Sequence, residues 1–230
     1  MTIPPMAVSL TNAPTTLQVK VCGMREPENI GDLVALQPDY IGFIFYRKSA
    51  RYAGEKLNPE YAKHLPATVQ KVGVFVNEAL ETILALTEKY GLQAVQLHGH
   101  ETPELCRKLK QAGFLVLKAF ALDDSFDFTT LEFYEGTCDY YLFDTKGQQH
   151  GGNGVTFNWQ VLDQYHLNTP FFLSGGLDIE HVAAIKAGRW PQLRGIDINS
   201  RFELEPGLKN ISKVKKMLTA FRENISIADK

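Results

Sequence analysis

A closed barrel of eight parallel strands, each followed by a helix, is the fold class this sequence predicts: an α/β protein built as a (β/α)8 TIM barrel. Three observations point there. Short apolar runs alternate with helical stretches eight times, at intervals of about twenty to thirty residues, which is the order of βα units round a parallel sheet. Runs such as Tyr40-Ile41-Gly42-Phe43-Ile44-Phe45 are too continuously apolar for a strand with one wet face. The 230 residues also fit within the length of one such barrel, about 250. A doubly wound open sheet is the runner-up, but eight units favour closure.

Residues 1–16 are rich in Pro, Thr, Ala and Asn and lack the basic start and apolar run of a signal peptide, so they read as a flexible leader. Residues 17–230 read as one barrel domain. The first strand, Leu17-Gln18-Val19-Lys20-Val21-Cys22-Gly23, alternates: Val19 and Val21 point one way, Lys20 and Cys22 the other. Ile30, Leu33 and Val34 then mark the buried stripe of a helix. The second strand, residues 40–45, opens into a basic loop with Arg47, Lys48 and Arg51. Asn58 followed by Pro59 is an N-cap with proline at the first helical position, predicting a helix to about Leu65.

The third strand is Val72-Gly73-Val74-Phe75-Val76, after which Asn77 is expected to cap a helix carrying Leu80, Ile83 and Leu84. Ala94-Val95-Gln96-Leu97 is the fourth, followed by His98-Gly99 and a helix with Leu105 and Leu109. Residues 115–120 form the fifth strand, with a helix around residues 128–134. Tyr140-Tyr141-Leu142-Phe143 is the sixth and ends in Asp144; the loop after it holds Gly147, Gly151, Gly152 and Gly154, and Asn158 caps a short helix through Trp159 and Leu162. Phe171-Phe172-Leu173-Ser174 is the seventh, turned by Gly175-Gly176 into a helix capped by Asp178 and carrying Val182 and Ile185. Gly195-Ile196-Asp197-Ile198 is the eighth, and Ile211, Val214, Leu218 and Phe221 stripe the last helix.

Composition excludes several function classes. A net charge of -2 gives no electrostatic case for nucleic acid. No stretch has the ~20 unbroken apolar residues that span a membrane. Cys22, Cys106 and Cys138 are an odd number without C-x-x-C spacing, so neither a disulfide framework nor a structural zinc site is suggested, and a reducing, cytoplasmic compartment fits. Cys106 sits beside its helix's leucine stripe and Cys138 precedes a strand, so both read as inert.

In such barrels the chemistry lies at the carboxyl ends of the strands. That rim collects Cys22, Arg51, His98, Asp144, the Ser174-Gly175-Gly176 turn and Asp197-Ile198-Asn199-Ser200. Gly175 and Gly176 after strand seven, with Asn199 and Ser200 after strand eight, stand where barrels commonly hold a phosphate on backbone N–H groups; they are otherwise ordinary tight turns. Asp144 is either a capping carboxylate or, under a closing glycine-rich loop that desolvates it, a proton donor near neutral pH. Cys22 alone reads as a small buried hydrophobe. Facing such an acid, with a modestly depressed pKa, its thiolate serves as a base. Arg51 is either a solvated charge or a fork for a substrate carboxylate, and His98 is either packing or a binding and proton-handling group. One acid and one base imply proton transfer with no cofactor and no metal.

The motifs Lys20-Val21-Cys22-Gly23-Met24-Arg25, Ser49-Ala50-Arg51-Tyr52, Val74-Phe75-Val76-Asn77, Gln96-Leu97-His98-Gly99, Phe143-Asp144-Thr145 with Gly152-x-Gly154, and Ser174-Gly175-Gly176-Leu177 occur in this order. Together they resemble the phosphoribosylanthranilate isomerase family. The resemblance implies an Amadori rearrangement in tryptophan biosynthesis acting on a phosphorylated small molecule, with no obligatory protein partner evident. It places the general base on Cys22, the general acid on Asp144 and the anthranilate carboxylate on Arg51; His98 and Asp197, on the same rim, are read as further substrate-binding residues. The chain departs from the family near strand eight, where Arg201 stands in place of a glycine and leaves the phosphate donors of that loop less secure. The histidine-pathway isomerase, which resembles the chain less because it has aspartate where Cys22 stands, and a catalytically silent sugar-phosphate-binding barrel are the alternatives.

Overall fold

Apolar residues on both faces of the strands decide the architecture, because a sheet buried on both faces must be covered outside and filled inside. The computed structural model describes residues 17–145, 159–188 and 190–222. The leader, the glycines at 147, 151, 152 and 154, and Asn158 lie outside the described residues. Strands β1 (Gln18–Val21), β2 (Tyr40–Ile44), β3 (Gln70–Phe75), β4 (Ala94–Leu97), β5 (Leu115–Leu122), β6 (Tyr140–Thr145), β7 (Phe171–Ser174) and β8 (Leu193–Ile198) pair in sequence order, all parallel. β1 pairs with β8 to close the ring, with Lys20 opposite Asp197. The open-sheet alternative is thereby excluded.

Alternation sorts the side chains. Val19 and Val21 belong to the layer between barrel and helices, while Tyr40, Val72, Ala94, Leu117, Ala119, Leu142 and Phe172 fill the inside. Phe172 meets Tyr40 and Tyr140 edge-on at 5.6 and 5.2 Å, plugging the amino end of the barrel. Towards the carboxyl end the inward positions turn polar, with Lys20, Gln96 and Asp197 all buried.

Outside lie α1 (Pro27–Ala35), α2 (Pro59–Lys63), α3 (Leu80–Tyr90), α4 (Pro103–Gln111), α5 (Val182–Lys186) and α6 (Ile211–Arg222). Asn58 accepts hydrogen bonds from the N–H groups of Glu60 and Tyr61, as its position before Pro59 predicts. Where helices were expected after β5 and β6, single 3-10 segments stand instead, Phe128–Tyr134 and Trp159–Gln164. Asp178 accepts from the Ile179 N–H and opens a 3-10 turn, Ile179–His181, that runs into α5.

Two further local features depart from the sequence reading. Asn77 does not cap α3, whose N-cap is Ala79; its backbone is left-handed at φ 51°, and its side-chain oxygen accepts from the His100 N–H at 2.7 Å. Asparagine tolerates that conformation, and the long-range bond to the His100 N–H takes the oxygen that a cap would use. The chain after β8 also forms an unforeseen hairpin, β9 (Glu203–Glu205) with β10 (Leu208–Lys209). Its strands are too short for an alternation to register.

Candidate active site

Cys22 directly follows β1, and its N–H donates to the Ile198 carbonyl at 2.9 Å, which fixes it at the barrel mouth. Gly42 on neighbouring β2 gives the thiol room: a Cβ there would lie 2.8 Å from Cys22 Sγ and 3.2 Å from Lys20 Nζ. Below the thiol, the Lys20 ammonium donates to Asp197 Oδ1 at 2.9 Å, with side chains 0% and 5% exposed. Burial works against the Lys20 charge, but Asp197 and Cys22 more than restore it, so Lys20 titrates above its ordinary value. Burial also pushes the Cys22 thiol up; Lys20 draws it down and Asp197 pushes it up again. The net direction is upward, opposite to the depression expected from sequence, because burial of the thiol, with Asp197 beside it, outweighs the pull of Lys20 and Lys209. Asp197 is likewise raised, by burial first, against the pull of Lys20.

At the end of β6, Asp144 Oδ2 lies 3.2 Å from His98 Nε2. Gln96 Nε2 lies 2.8 Å from His98 Nδ1 on the other side of the ring. With the amide donating, Nδ1 accepts and the ring proton sits on Nε2, facing Asp144. Gln96 Oε1 is the one buried side-chain acceptor without a partner among the described residues. Asp144 is 37% exposed, so the desolvation expected of it is not supplied by the described residues. Below His98, Glu101 accepts from the Asn77 and Gly99 N–H groups and pairs with buried Lys118 at 3.3 Å, tying the loops after β3 and β4 together.

Arg51 is not simply solvated. Its Nε and Nη2 form a two-pronged ion pair with Glu203, with N···O distances of 2.9 and 2.6 Å. The same carboxylate binds Lys209 Nζ at 2.6 Å, and Lys209 also donates to Asn199 Oδ1 at 2.7 Å. Burial pulls the Lys209 ammonium down despite Glu203. The Asn199 side chain therefore serves the hairpin. Gly175 and Gly176 have left-handed backbones, φ 91° and 61°, which the tight turn after β7 requires. Ser200 opens a single 3-10 turn, Ser200–Phe202, directly after Asn199.

A cavity of about 210 Å³ at the carboxyl end is lined by Cys22, Arg51, His98, Asp144, Gly175, Gly176, Asp197, Asn199 and Ser200. Every site candidate of the sequence reading thus meets in one place. Lys20, Gln96, Glu203 and Lys209, of which Gln96 lines the cavity and the others brace its lining, were not assigned to the site. The first two carried a signal, as polar residues at inward positions of apolar strands; the latter two depend on a hairpin that sequence pattern does not reveal. Among the described residues, no group of three His, Cys, Asp or Glu side chains is arranged to hold a metal ion, and no helix is long and apolar enough to cross a membrane.

The family model for N-(5'-phosphoribosyl)anthranilate isomerase matches residues 19–220. A relative of that description from Phocaeicola vulgatus is 46% identical over 207 residues, covering 90% of this chain and 98% of its own length. Another, from Parabacteroides distasonis, is 44% identical over 87% of this chain and 91% of its own. The crystal structure of phosphoribosyl anthranilate isomerase from Thermotoga maritima is similar with a TM-score of 0.71 at 35% identity, covering 89% of this chain and 98% of that one. A phosphoribosyl anthranilate isomerase in complex with reduced 1-(o-carboxyphenylamino)-1-deoxyribulose 5-phosphate gives 0.70 at 34% identity, covering 89% and 97%.

Proposed function

Because the chain belongs to the phosphoribosylanthranilate isomerase family, we propose that Cys22 and Asp144 are the general base and general acid of the rearrangement it catalyses in tryptophan biosynthesis. The reaction converts N-(5-phosphoribosyl)anthranilate to 1-(2-carboxyphenylamino)-1-deoxyribulose 5-phosphate. Asp144 gives its proton to the furanose ring oxygen as the C1–O bond breaks, and the anilino nitrogen lone pair forms the C1=N bond of a protonated Schiff base. Cys22, as thiolate, removes the proton from C2, and the electrons left behind form the enolamine, which tautomerises to the ketone.

The surrounding residues have supporting tasks. His98 donates to Asp144 Oδ2 and leaves Oδ1 to carry the transferable proton. Arg51, braced by Glu203, presents positive charge to the anthranilate carboxylate. The backbone N–H groups of Gly175, Gly176, Asn199 and Ser200 take the phosphate, and Asp197, which lines the same cavity, is a further substrate contact. Residues 17–230 act as one catalytic domain. The three free cysteines suit the cytoplasm, where Cys22 stays reduced.

The observation that carries this reading is that one cavity holds a thiol from the end of β1 and a carboxyl from the end of β6. The test is turnover by the purified protein without added metal or nucleotide. Cys22→Ser and Asp144→Asn are each expected to lose about 10²–10⁴-fold in kcat while melting like the parent. Full activity in either variant rejects the assignment of that residue.

A further inference from the structure

A base that is buried and titrates high needs some way to become an anion. Inside the upper barrel, Cys22, Lys20 and Asp197 form one contiguous cluster, with Lys20 Nζ 2.9 Å from Asp197 Oδ1 and close enough to the thiol that a Cβ on Gly42 would touch both Cys22 Sγ and Lys20 Nζ. All three side chains are at most 5% exposed. The cluster has one cation and two groups able to become anions. In a buried setting a second anion without its own cation is strongly disfavoured, so thiolate and carboxylate compete for Lys20. The other charges near Cys22 are already engaged: Lys209 on β10 and Arg51 on the β2–α2 loop both bind Glu203. Asp144 from β6 and His98 from the β4–α4 loop face Asp197 and each other.

We propose that Lys20 is the cation that makes Cys22 a base, and that Asp197 holds the proton Cys22 gives up. The shift is balanced within the cluster. A Lys20 N–H bond breaks as an O–H bond forms on Asp197, and the amine lone pair this leaves takes the Cys22 proton as the S–H bond breaks. Thiol, ammonium and carboxylate become thiolate, ammonium and carboxylic acid, with no change in net charge. The positive Schiff base formed after ring opening favours the thiolate arrangement, so the base is generated where and when C2 is ready to lose its proton. Once Cys22 has passed the proton it took to C1 of the enolamine, whose 2-hydroxyl proton leaves as the ketone forms, the reverse shift restores the thiol. Lys20 and Asp197 are positioning residues in this scheme, acting through Cys22.

The inference rests on Cys22 being the base, and the experiment separates the two. Thiolate ultraviolet absorbance, taken as a difference against Cys22→Ser, and the pH profile of kcat are measured for Lys20→Met, Asp197→Asn and the double variant. Lys20→Met is expected to move the Cys22 titration up by about 1–3 pH units, and Asp197→Asn to move it down by a similar amount, because each removes one charge of known sign. The kcat profile shifts in the same directions. The double variant removes the pair without stranding a buried charge, so it remains measurable if Lys20→Met fails to fold, and it is expected to titrate above the parent. A merely structural pair moves neither titration. Unchanged Cys22 titration in both the double variant and Asp197→Asn, or an upward move in Asp197→Asn, overturns the proposal. Full activity in Cys22→Ser instead defeats the base assignment itself, whatever Lys20 does.

Discussion

Glu203→Gln tests whether the unforeseen hairpin is part of the site or only its border. The carboxylate is 5% exposed and holds Lys209, 0% exposed, at 2.6 Å, together with the Arg51 fork and the Gly207 N–H at 3.0 Å. Removing one partner of a buried ion pair costs about 3–5 kcal/mol, because the other charge is left uncompensated. The lower end applies here, since glutamine keeps the volume and one acceptor oxygen, and Lys209 can release its proton. At about 2–4 °C per kcal/mol for a chain of this size, a loss of about 3 kcal/mol lowers Tm by roughly 6–12 °C. The pH dependence has a definite sign. Burial pushes the Glu203 carboxyl up, but Arg51 and Lys209 outweigh it and hold it below its usual range. A group depressed in the folded state contributes stability above its unfolded value, about 4.3, and loses it as pH falls through the folded value. Thermal melts of parent and variant should therefore differ fully at neutral pH and converge only below about pH 4. In the same variant KM should rise more than kcat falls, because Arg51 loses its brace while Cys22 and Asp144 remain. Equal melting at neutral pH, or a gap that persists unchanged in acid, refutes the reasoning.

Three further outcomes follow from single distances. Gly42→Ala puts a Cβ 2.8 Å from Cys22 Sγ and 3.1 Å from Cys22 Cα, so kcat should fall up to about 10²-fold through displacement of the thiol, at about 1–3 kcal/mol in stability, read from kinetics and denaturant midpoints. Asn77→Ala should be less stable than Asn77→Gly by about 1 kcal/mol in urea titrations: both lose the bond to the His100 N–H, but only alanine is strained at φ 51°. Gln96→Leu removes the donor to His98 Nδ1 along with the buried unpartnered acceptor, so stability should hold or rise while kcat falls about fivefold. Nitrogen chemical shifts of His98 should then show a mixed tautomer population.

Much of the barrel was legible because its signal is periodic and local. Continuous apolar runs place the strands, and Asn58-Pro59 places a helix start. Sequence order alone then puts Cys22, His98, Asp144 and Asp197 on one rim, since every parallel strand ends at the same face. What escaped was set by contacts between distant residues. Asn77 looks like a cap in one dimension, yet the His100 N–H, reached only when the loops after β3 and β4 are folded together, claims its oxygen. Arg51 looks solvated until Glu203 arrives from 152 residues away. The direction of the Cys22 titration depends on how deeply the folded barrel buries the thiol and on a carboxylate on β8, neither of which a reading of the first strand contains.

The same contacts divide the site's charge into two parts with separate uses. Lys20, Asp197 and a thiol sum to zero below Cys22, and a neutral buried cluster can change its internal arrangement without drawing an ion from water. Arg51, protonated Lys209 and Glu203 sum to one surplus positive charge beside it. That surplus is what a substrate carboxylate seeks. On the proposed assignment a substrate anion bound there cancels it, leaving the thiolate dependent on Lys20. On the proposed roles binding and proton transfer are separate: perturbations of the Glu203 cluster should appear mainly in KM, and perturbations of the Lys20 cluster in the pH profile of kcat.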